Sequence, residues 1–596
     1  MSKYLISMIM LMVLFDTANA SVLVLSPNGS TESKPNLALA VPVAVGKTIM
    51  VSTPQVIDDI SIPTSTKLKV VKGGLIAVNS GKTFSIKGPF EAGPYQVFSG
   101  SGKISDLKYV DPIWFEDNQI GNQLAFDAVT ANGTVELTTI RNVNSIYVRV
   151  PVTIKGSGGL AQKLSAVGNN ILVLAADNIT VDGITLKGPV TTGNANHSNV
   201  AGINCKGRSN ITVNNCTIIG KQNGIQNIED STAVTNITIQ NNKIRYTGYG
   251  IVIWPSAHPS PTTIYGSNIN ILNNDVRLQT GYNLYSENIR GIRISHCDNV
   301  SIIGNTSLGA QLSIETWCDG RNRLAKHIEI SSNTVDTWLC LNSFDGGILN
   351  KNTVDYSLLP TLHAVSRVYG GSSGAVHGIE VVLAKNVTIQ GNYVANQPSN
   401  GIYTGYAGAS STYPVLSSNL TIDSNTIYKC ATVNTTVAGL QLNFISDSII
   451  SNNIITDCGT TTYGMAINCG GELGKHFNPV RNLVFSNNIL RANYNATYTF
   501  RLFAFDNITI DGLVSELNAG TGITIAEAKS INLVIRNSKI INNSMFGIRY
   551  NALNIANIVI EDSDLRGNRK GASTSNGISA DNILGKHAVL RNNVGL

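Results

Sequence analysis

A chain of 596 residues with only 13% charged residues, 55 glycines and a formal net charge of +6 is built for short strands and tight corners and offers little to helices. No basic run with interleaved aromatics occurs, which argues against a nucleic-acid partner. The modest positive charge leans towards anionic partners, although solubility alone accounts for it.

The first twenty residues read as a signal peptide. Lys3 supplies a positive start, Tyr4 to Phe15 is largely apolar, and Ala18-Asn19-Ala20 is a small-x-small cleavage site. The run is too short to span a bilayer comfortably, and no later segment is apolar enough to do so. The expectation is export, cleavage after Ala20, and a protein secreted or held at the cell surface, with no membrane span; Asp16 is an unusual neighbour for the apolar run.

Residues 21–110 form an N-terminal β-rich region, alternating as in Lys67-Leu68-Lys69-Val70-Val71 and Thr83-Phe84-Ser85-Ile86. A lead-in segment follows over 111–165. There Ile120, Leu124 and Ala128 recur at i, i+4 and i+8 before Asn132-Gly133, which predicts a short amphipathic helix with a stop signal. Such a helix can cap the open end of a strand stack, whose terminal strand would otherwise expose unpaired backbone.

From about 166 to 596 two phrases alternate. One is an apolar-alternating strand, a two-residue corner and Asn: Ile237-Thr238-Ile239-Gln240-Asn241-Asn242, and likewise at Asn305, Asn333, Asn392, Asn425, Asn453 and Asn488, with Asn274 and Asn352 in the same slot and Cys216 in the first full repeat. The other is Gly-Ile or Gly-Leu followed by alternation, as at Gly250-Ile251, Gly291-Ile292, Gly378-Ile379, Gly401-Ile402 and Gly439-Leu440. Period-2 alternation buries every second residue. One coil cannot bury its face alone, so the repeats must stack as a solenoid. The predicted fold is all-β: a right-handed, single-stranded parallel β-helix with the recurring Asn stacked as a corner ladder.

Eight cysteines in an exported chain allow disulfides. Cys297, Cys318 and Cys340 recur at about one coil, whereas Cys205/Cys216 and Cys458/Cys469 are too close for a full coil; buried thiols are the simpler reading. No CxxC or Cys/His ligand spacing appears, so no zinc site is expected. No other cofactor is called for; calcium stays open, with no motif to support it. The Asn-x-Ser/Thr sequons, such as Asn210-Ile211-Thr212, follow from composition and do not establish glycosylation.

The phrases from Glu91 to Gly100 and from Pro112 to Phe115, the capping helix, Ile154-Lys155-Gly156 and Asn178-Ile179-Thr180-Val181-Asp182-Gly183 together resemble exported parallel β-helix proteins of the pectate-lyase-like superfamily, which includes pectate-lyase-3-type enzymes and phage tailspikes. The resemblance covers nearly the whole mature chain. It implies the fold and, for function, lyases, hydrolases, epimerases or non-catalytic adhesins. Where relatives often carry Gly-Asp-Gly and Asp-Asp, this chain has Glu116-Asp117-Asn118-Gln119-Ile120-Gly121-Asn122. The catalytic motifs of pectate lyases, polygalacturonases and alginate epimerases are missing from the sequence, and a fold does not carry a function with it.

Insertions fall at about 255–267, 278–289, 355–376 and 407–418, all beside the Gly-Ile strand. Long loops in a repeat protein mark the binding face. Counting alternation outwards, that face presents Trp254, Arg293, Ser295, Ser313, Glu315, Cys340, Asn342, Glu380, Tyr403, Gln441 and Asn443, with Trp317, Asp319 and Asp345 in adjoining corners and His377 just before Glu380. Flat aromatics stack on sugar rings, and paired carboxylates break glycosidic bonds. Glu315, Asp345 and Glu380 are therefore the candidate acid/base groups. Trp254, Arg293, Trp317, Asp319, Asn342 and Tyr403 are the candidate substrate contacts, although any one of them also fits a solvated surface. The partner expected is a polysaccharide. Three readings remain open: a hydrolase or lyase, a non-catalytic carbohydrate-binding surface protein, and a tailspike-like depolymerase, against which the signal peptide argues. Sugar, linkage and oligomeric state are not legible.

Overall fold

A computed structural model describes residues 22–25, 36–189, 200–228, 233–255, 266–278, 289–318, 324–358, 377–405, 417–433, 436–471, 480–526, 530–550, 555–568 and 588–595. The predicted signal peptide, Asp319 and most of the four insertions lie outside them. Contacts divide the chain into two compact units, one comprising Met1–Pro189 with Val200–Ile218, the other Val190–Asn199 with Ile219–Leu596.

The first unit opens with coils that the sequence reading took only as β-rich. Thr48–Val51, Lys67–Val70 and Phe90–Ala92 pair in parallel. So do Pro54–Ile57, Leu75–Val78 and Phe98–Gly100, and Ile60–Ile62, Thr83–Ile86 and Lys103–Ser105. Each coil thus has three sides, and alternation buries Ile49, Leu68, Ile76 and Phe84 at the centre. The helix Gln119–Ala128 follows as expected. Its buried face, however, is Gly121, Asn122, Ala125, Phe126 and Ala128, while Ile120 is 63% exposed. Polar bonding sets this rotation. Asn118 caps the helix by accepting from the Gly121 N–H at 2.8 Å, and buried Asn122 accepts from Arg141 Nε at 2.9 Å and donates to the Asn142 carbonyl at 2.9 Å.

In the second unit the coils share a course: a strand such as Cys297–Ile303, the Asn corner, a short strand such as Thr306–Leu308, a second corner, and the Gly-Ile strand such as Leu312–Trp317; in Lys243–Trp254 the last two strands are continuous. Neighbouring coils pair in parallel and in register. The row Ile292, Ile314, Leu339, Ile379, Ile402, Leu440, Ile467, Phe500, Ile523 and Ile548 is fully buried. The fold is a parallel β-helix.

The Asn ladder is continuous from Asn242 to Asn488. Asn392 is typical: its Nδ2 donates to Asn425 Oδ1 and to the Leu349 carbonyl, both at 2.9 Å, and its Oδ1 accepts from the Nδ2 and N–H of Asn352. The left-handed backbone falls one residue before each ladder position, at Asn241, Gly304, Ser332, Gly391 and Asn487, not on the ladder Asn. A second ladder at the next corner joins Asn493, Asn518, Asn543 and Asn568; Cys458 occupies that slot one coil earlier, its N–H donating to Asn493 Oδ1. All eight cysteines are buried thiols.

Candidate functional site

The Gly-Ile strands carry one outward residue per coil in an unbroken register: Arg293, Glu315, Cys340, Glu380 and Tyr403. They line up because Ile292, Ile314, Leu339, Ile379 and Ile402, each one residue earlier, are locked in the core. A parallel row begins two residues on with Ser295, Trp317 and Asn342. Trp317 is thus the last residue of its strand, facing outwards, and not a corner residue.

Outward does not mean exposed here. Cys340, Asn342, His377 and Glu380 are each 7% exposed, so the row is shielded from water. Glu315 is held by two guanidinium groups: Arg290 Nε lies 2.9 Å and Arg293 Nε 3.3 Å from its Oε2. Arg290 also donates to Gln311 Oε1 at 2.8 Å, and Arg293 lies 4.4 Å from the ring centroid of Trp254. Glu315 is therefore an oriented, ion-paired carboxylate.

Glu380 has the opposite environment. Among the described residues its Oε2 is buried without a hydrogen-bond partner. Burial, reinforced by the negative charge of Glu315, pushes its pKa up to about 7; the nearby Trp338 indole opposes this by favouring the charged form, yet Trp338 Nε1 itself completes no hydrogen bond. Between the two carboxylates stands Cys340, whose thiol is held protonated by burial and then by Glu380 and Glu315. Two strand steps separate Glu315 from Glu380, about 9–10 Å along the axis.

His377 forms a shelf for Tyr403, their rings stacked at 4.6 Å and 19°. Asn400 Oδ1 accepts from the Ala438 N–H at 2.7 Å, so its Nδ2, 3.1 Å from His377 Nδ1, is the donor in that contact. Burial lowers the His377 pKa to about 3, which keeps the ring neutral at physiological pH. Trp254 and Tyr403 each have one ring face engaged, by Arg293 and His377 respectively. Trp317 meets His296 edge-on at 4.8 Å.

No protein-family model and no curated protein matches the sequence. Solved structures that resemble the chain include an alginate lyase, PL6, in complex with a trisaccharide (13% identity, 70% of this chain and 87% of that one, TM-score 0.35). The tailspike protein of E. coli bacteriophage HK620 in complex with a pentasaccharide is another (11%, 77% and 72%, TM-score 0.35), as is a mutant of the periplasmic alginate epimerase AlgG (10%, 78% and 84%, TM-score 0.27). Likeness at this level transfers neither substrate nor reaction to this chain. The resemblance read from the sequence stands at the level of the fold.

The structure brings Arg293, Glu315, Glu380, Trp254, Trp317, Asn342 and Tyr403 onto one face. It does not bring Asp345 there. That residue lies past the Ser343 corner on Phe344–Asn350, a strand of the other sheet, where its Oδ1 accepts from Asn386 Nδ2 at 2.6 Å. Asp319 lies outside the described residues. Sequence reasoning missed Arg290, because the strand begins one residue before Gly291, and Trp338, which precedes its strand. Among the described residues no group of three or more His, Cys, Asp or Glu side chains is placed to hold a metal, and no helix is long and apolar enough to cross a membrane.

The buried acid makes stability depend on pH. Folded Glu380 keeps its proton up to about pH 7, whereas an ordinary glutamate releases it near 4.5. Its contribution is therefore full below pH 4.5 and is lost as pH rises through 7, on the order of 3 kcal/mol in all. In Glu380→Gln this decline should vanish; chemical denaturation midpoints of both proteins between pH 4.5 and 8 will show it, and parallel curves would refute it.

Proposed function

We propose that the protein hydrolyses an extended polysaccharide lying along the Gly-Ile face, with Glu380 as general acid and Glu315 as the second carboxylate. One observation carries this reading: a buried carboxyl that keeps its proton to about pH 7 stands in register, two strands away, with a carboxylate paired to two arginines. A general acid must be protonated at working pH, and opposite environments on paired carboxylates separate acid from base. The strand separation sits at the upper end of the ~6.5–9.5 Å that leaves room for an attacking water, so inversion is the expected outcome.

Hydrolysis is favoured over elimination because Glu315 already engages both Arg290 and Arg293. Each therefore has less positive charge to offer a uronate carboxylate beside Glu380 than an unpaired arginine would. Trp254, Trp317 and Tyr403 supply ring faces and edges for sugars, and export, as read from residues 1–20, would place the enzyme with such a polymer. The test is a screen of plant, algal and bacterial polysaccharides, read both for new reducing ends and for the ultraviolet absorbance of unsaturated uronates. Reducing ends without that absorbance support hydrolysis. Unsaturated ends would replace it with a lyase, and binding without either product would leave a carbohydrate-binding protein.

A further inference from the structure

The outward row does not stop at Tyr403. It continues in register through Gln441, Asn468, Arg501, Thr524 and Arg549. Asn468 Nδ2 donates to Gln441 Oε1 at 3.1 Å, but then three successive strands each bury a polar atom with no hydrogen-bond partner among the described residues: Asn468 Oδ1, Arg501 Nε and Thr524 Oγ1. Asn468 is 4% exposed and Thr524 fully buried. Such atoms are costly unless something bonds them.

The two arginines also differ from those beside Glu315. Arg501 lies 4.7 Å from the ring centroid of Phe503 and 5.6 Å from that of Tyr498, and Arg549 lies 5.8 Å from that of Phe546. Among the described residues neither guanidinium meets a carboxylate, whereas Arg491, Arg536 and Arg566 are each paired with one. The Phe503 ring has room to lie there because its neighbour in register is Gly470, whose absent Cβ would fall 2.4 Å from it. Aromatic rings against a guanidinium leave its in-plane N–H groups for a ligand, and that planar fork matches a carboxylate or a sulfate.

We propose that Asn468, Arg501, Thr524 and Arg549 form an anion-binding site that takes the carboxylate or sulfate groups of an acidic polysaccharide. Arg501 and Arg549, about 9–10 Å apart over two strand steps, meet the anionic groups; Asn468 Oδ1 accepts from a sugar hydroxyl and Thr524 donates. The site spans the third to the sixth strand step beyond Glu380 on the same row, about 14–29 Å along the axis. Naming the cleaved substrate as acidic rests on the hydrolase reading; the binding site does not.

The experiment is affinity electrophoresis of the full mature chain through gels containing dextran, dextran sulfate or polygalacturonate, at low and high salt. The wild type is expected to be retarded by one acidic polymer or both and not by dextran, and the polymer that retards it tells sulfate from carboxylate. Arg501→Gln and Arg549→Gln should each weaken that retardation at least tenfold at unchanged melting temperature. Lys243→Gln, which removes the same charge from an exposed position, should not weaken it. Arg501→Lys keeps the charge without the fork and should fall between. Equal losses in Lys243→Gln and Arg501→Gln, retardation unchanged in both arginine variants, or no retardation by either acidic polymer would overturn the proposal. If Glu380→Gln cleaves normally while the arginine variants lose binding, the hydrolase reading fails and the anion site stands.

Discussion

Glu380→Gln is expected to lower turnover of a cleaved glycan by about 10²- to 10⁴-fold, the usual contribution of a positioned general acid, with little change in KM. Glutamine keeps the size and most of the shape of the side chain but has no acidic proton to give the leaving oxygen. It also removes a group that burial and Glu315 hold at a pKa of about 7, so the alkaline limb of the wild-type pH–rate profile should disappear from the residual activity. Glu315→Gln is a less clean variant. It strips the partner from Arg290 and Arg293, which are both largely buried, and an unpaired buried charge destabilises as well as disorients. Loss of rate with loss of stability is therefore expected for Glu315→Gln, and loss of rate alone for Glu380→Gln. A Glu380→Gln enzyme within tenfold of wild type on an identified substrate would remove Glu380 from the chemistry.

Asn392→Ala should destabilise the fold by about 3 kcal/mol, because deleting the amide orphans the Asn352 N–H, the Asn352 side-chain amide and the Leu349 carbonyl together, and each buried orphan costs ~1–3 kcal/mol. Thr388→Ala, on the half-buried outer face of the adjoining strand, should stay within about 0.5 kcal/mol. Denaturant midpoints of the two variants, measured side by side, decide it. Equal losses would mean that the ladder is dispensable.

The fold was legible because its signals are local and repeat. The alternation around Ile302 or Ile389 and the Asn three residues later say the same thing on every coil, so nine ladder positions could be placed in one column. The second ladder at Asn493 to Asn568 was less visible because Gln397, Cys430 and Cys458 occupy its slot on earlier coils, so the repeat changes chemistry midway. The helix was found but its face was not. Apolar spacing pointed to Ile120, whereas Asn122, bonded to Arg141, set the buried side through a polar contact that periodicity cannot register. The outward row was readable by counting from buried Ile, which places Glu315 and Glu380. Counting could not show that Glu380 would be shut away from water while Glu315 found two arginines, since burial of an outward residue depends on what is folded over the strand. Asp345 failed for a related reason: a left-handed residue at Ser343 turns the chain onto the other sheet, and nothing in the spacing marks how far past a corner a face extends.

The most direct test needs no substrate. In protein carrying carbon-13 at the glutamate carboxyls, one resonance, absent from Glu380→Gln, should titrate near pH 7. Should every glutamate carboxyl titrate in the ordinary range around 4.5, or should the resonance near 7 persist in Glu380→Gln, the proposed acid does not exist and the catalytic reading of this face falls with it.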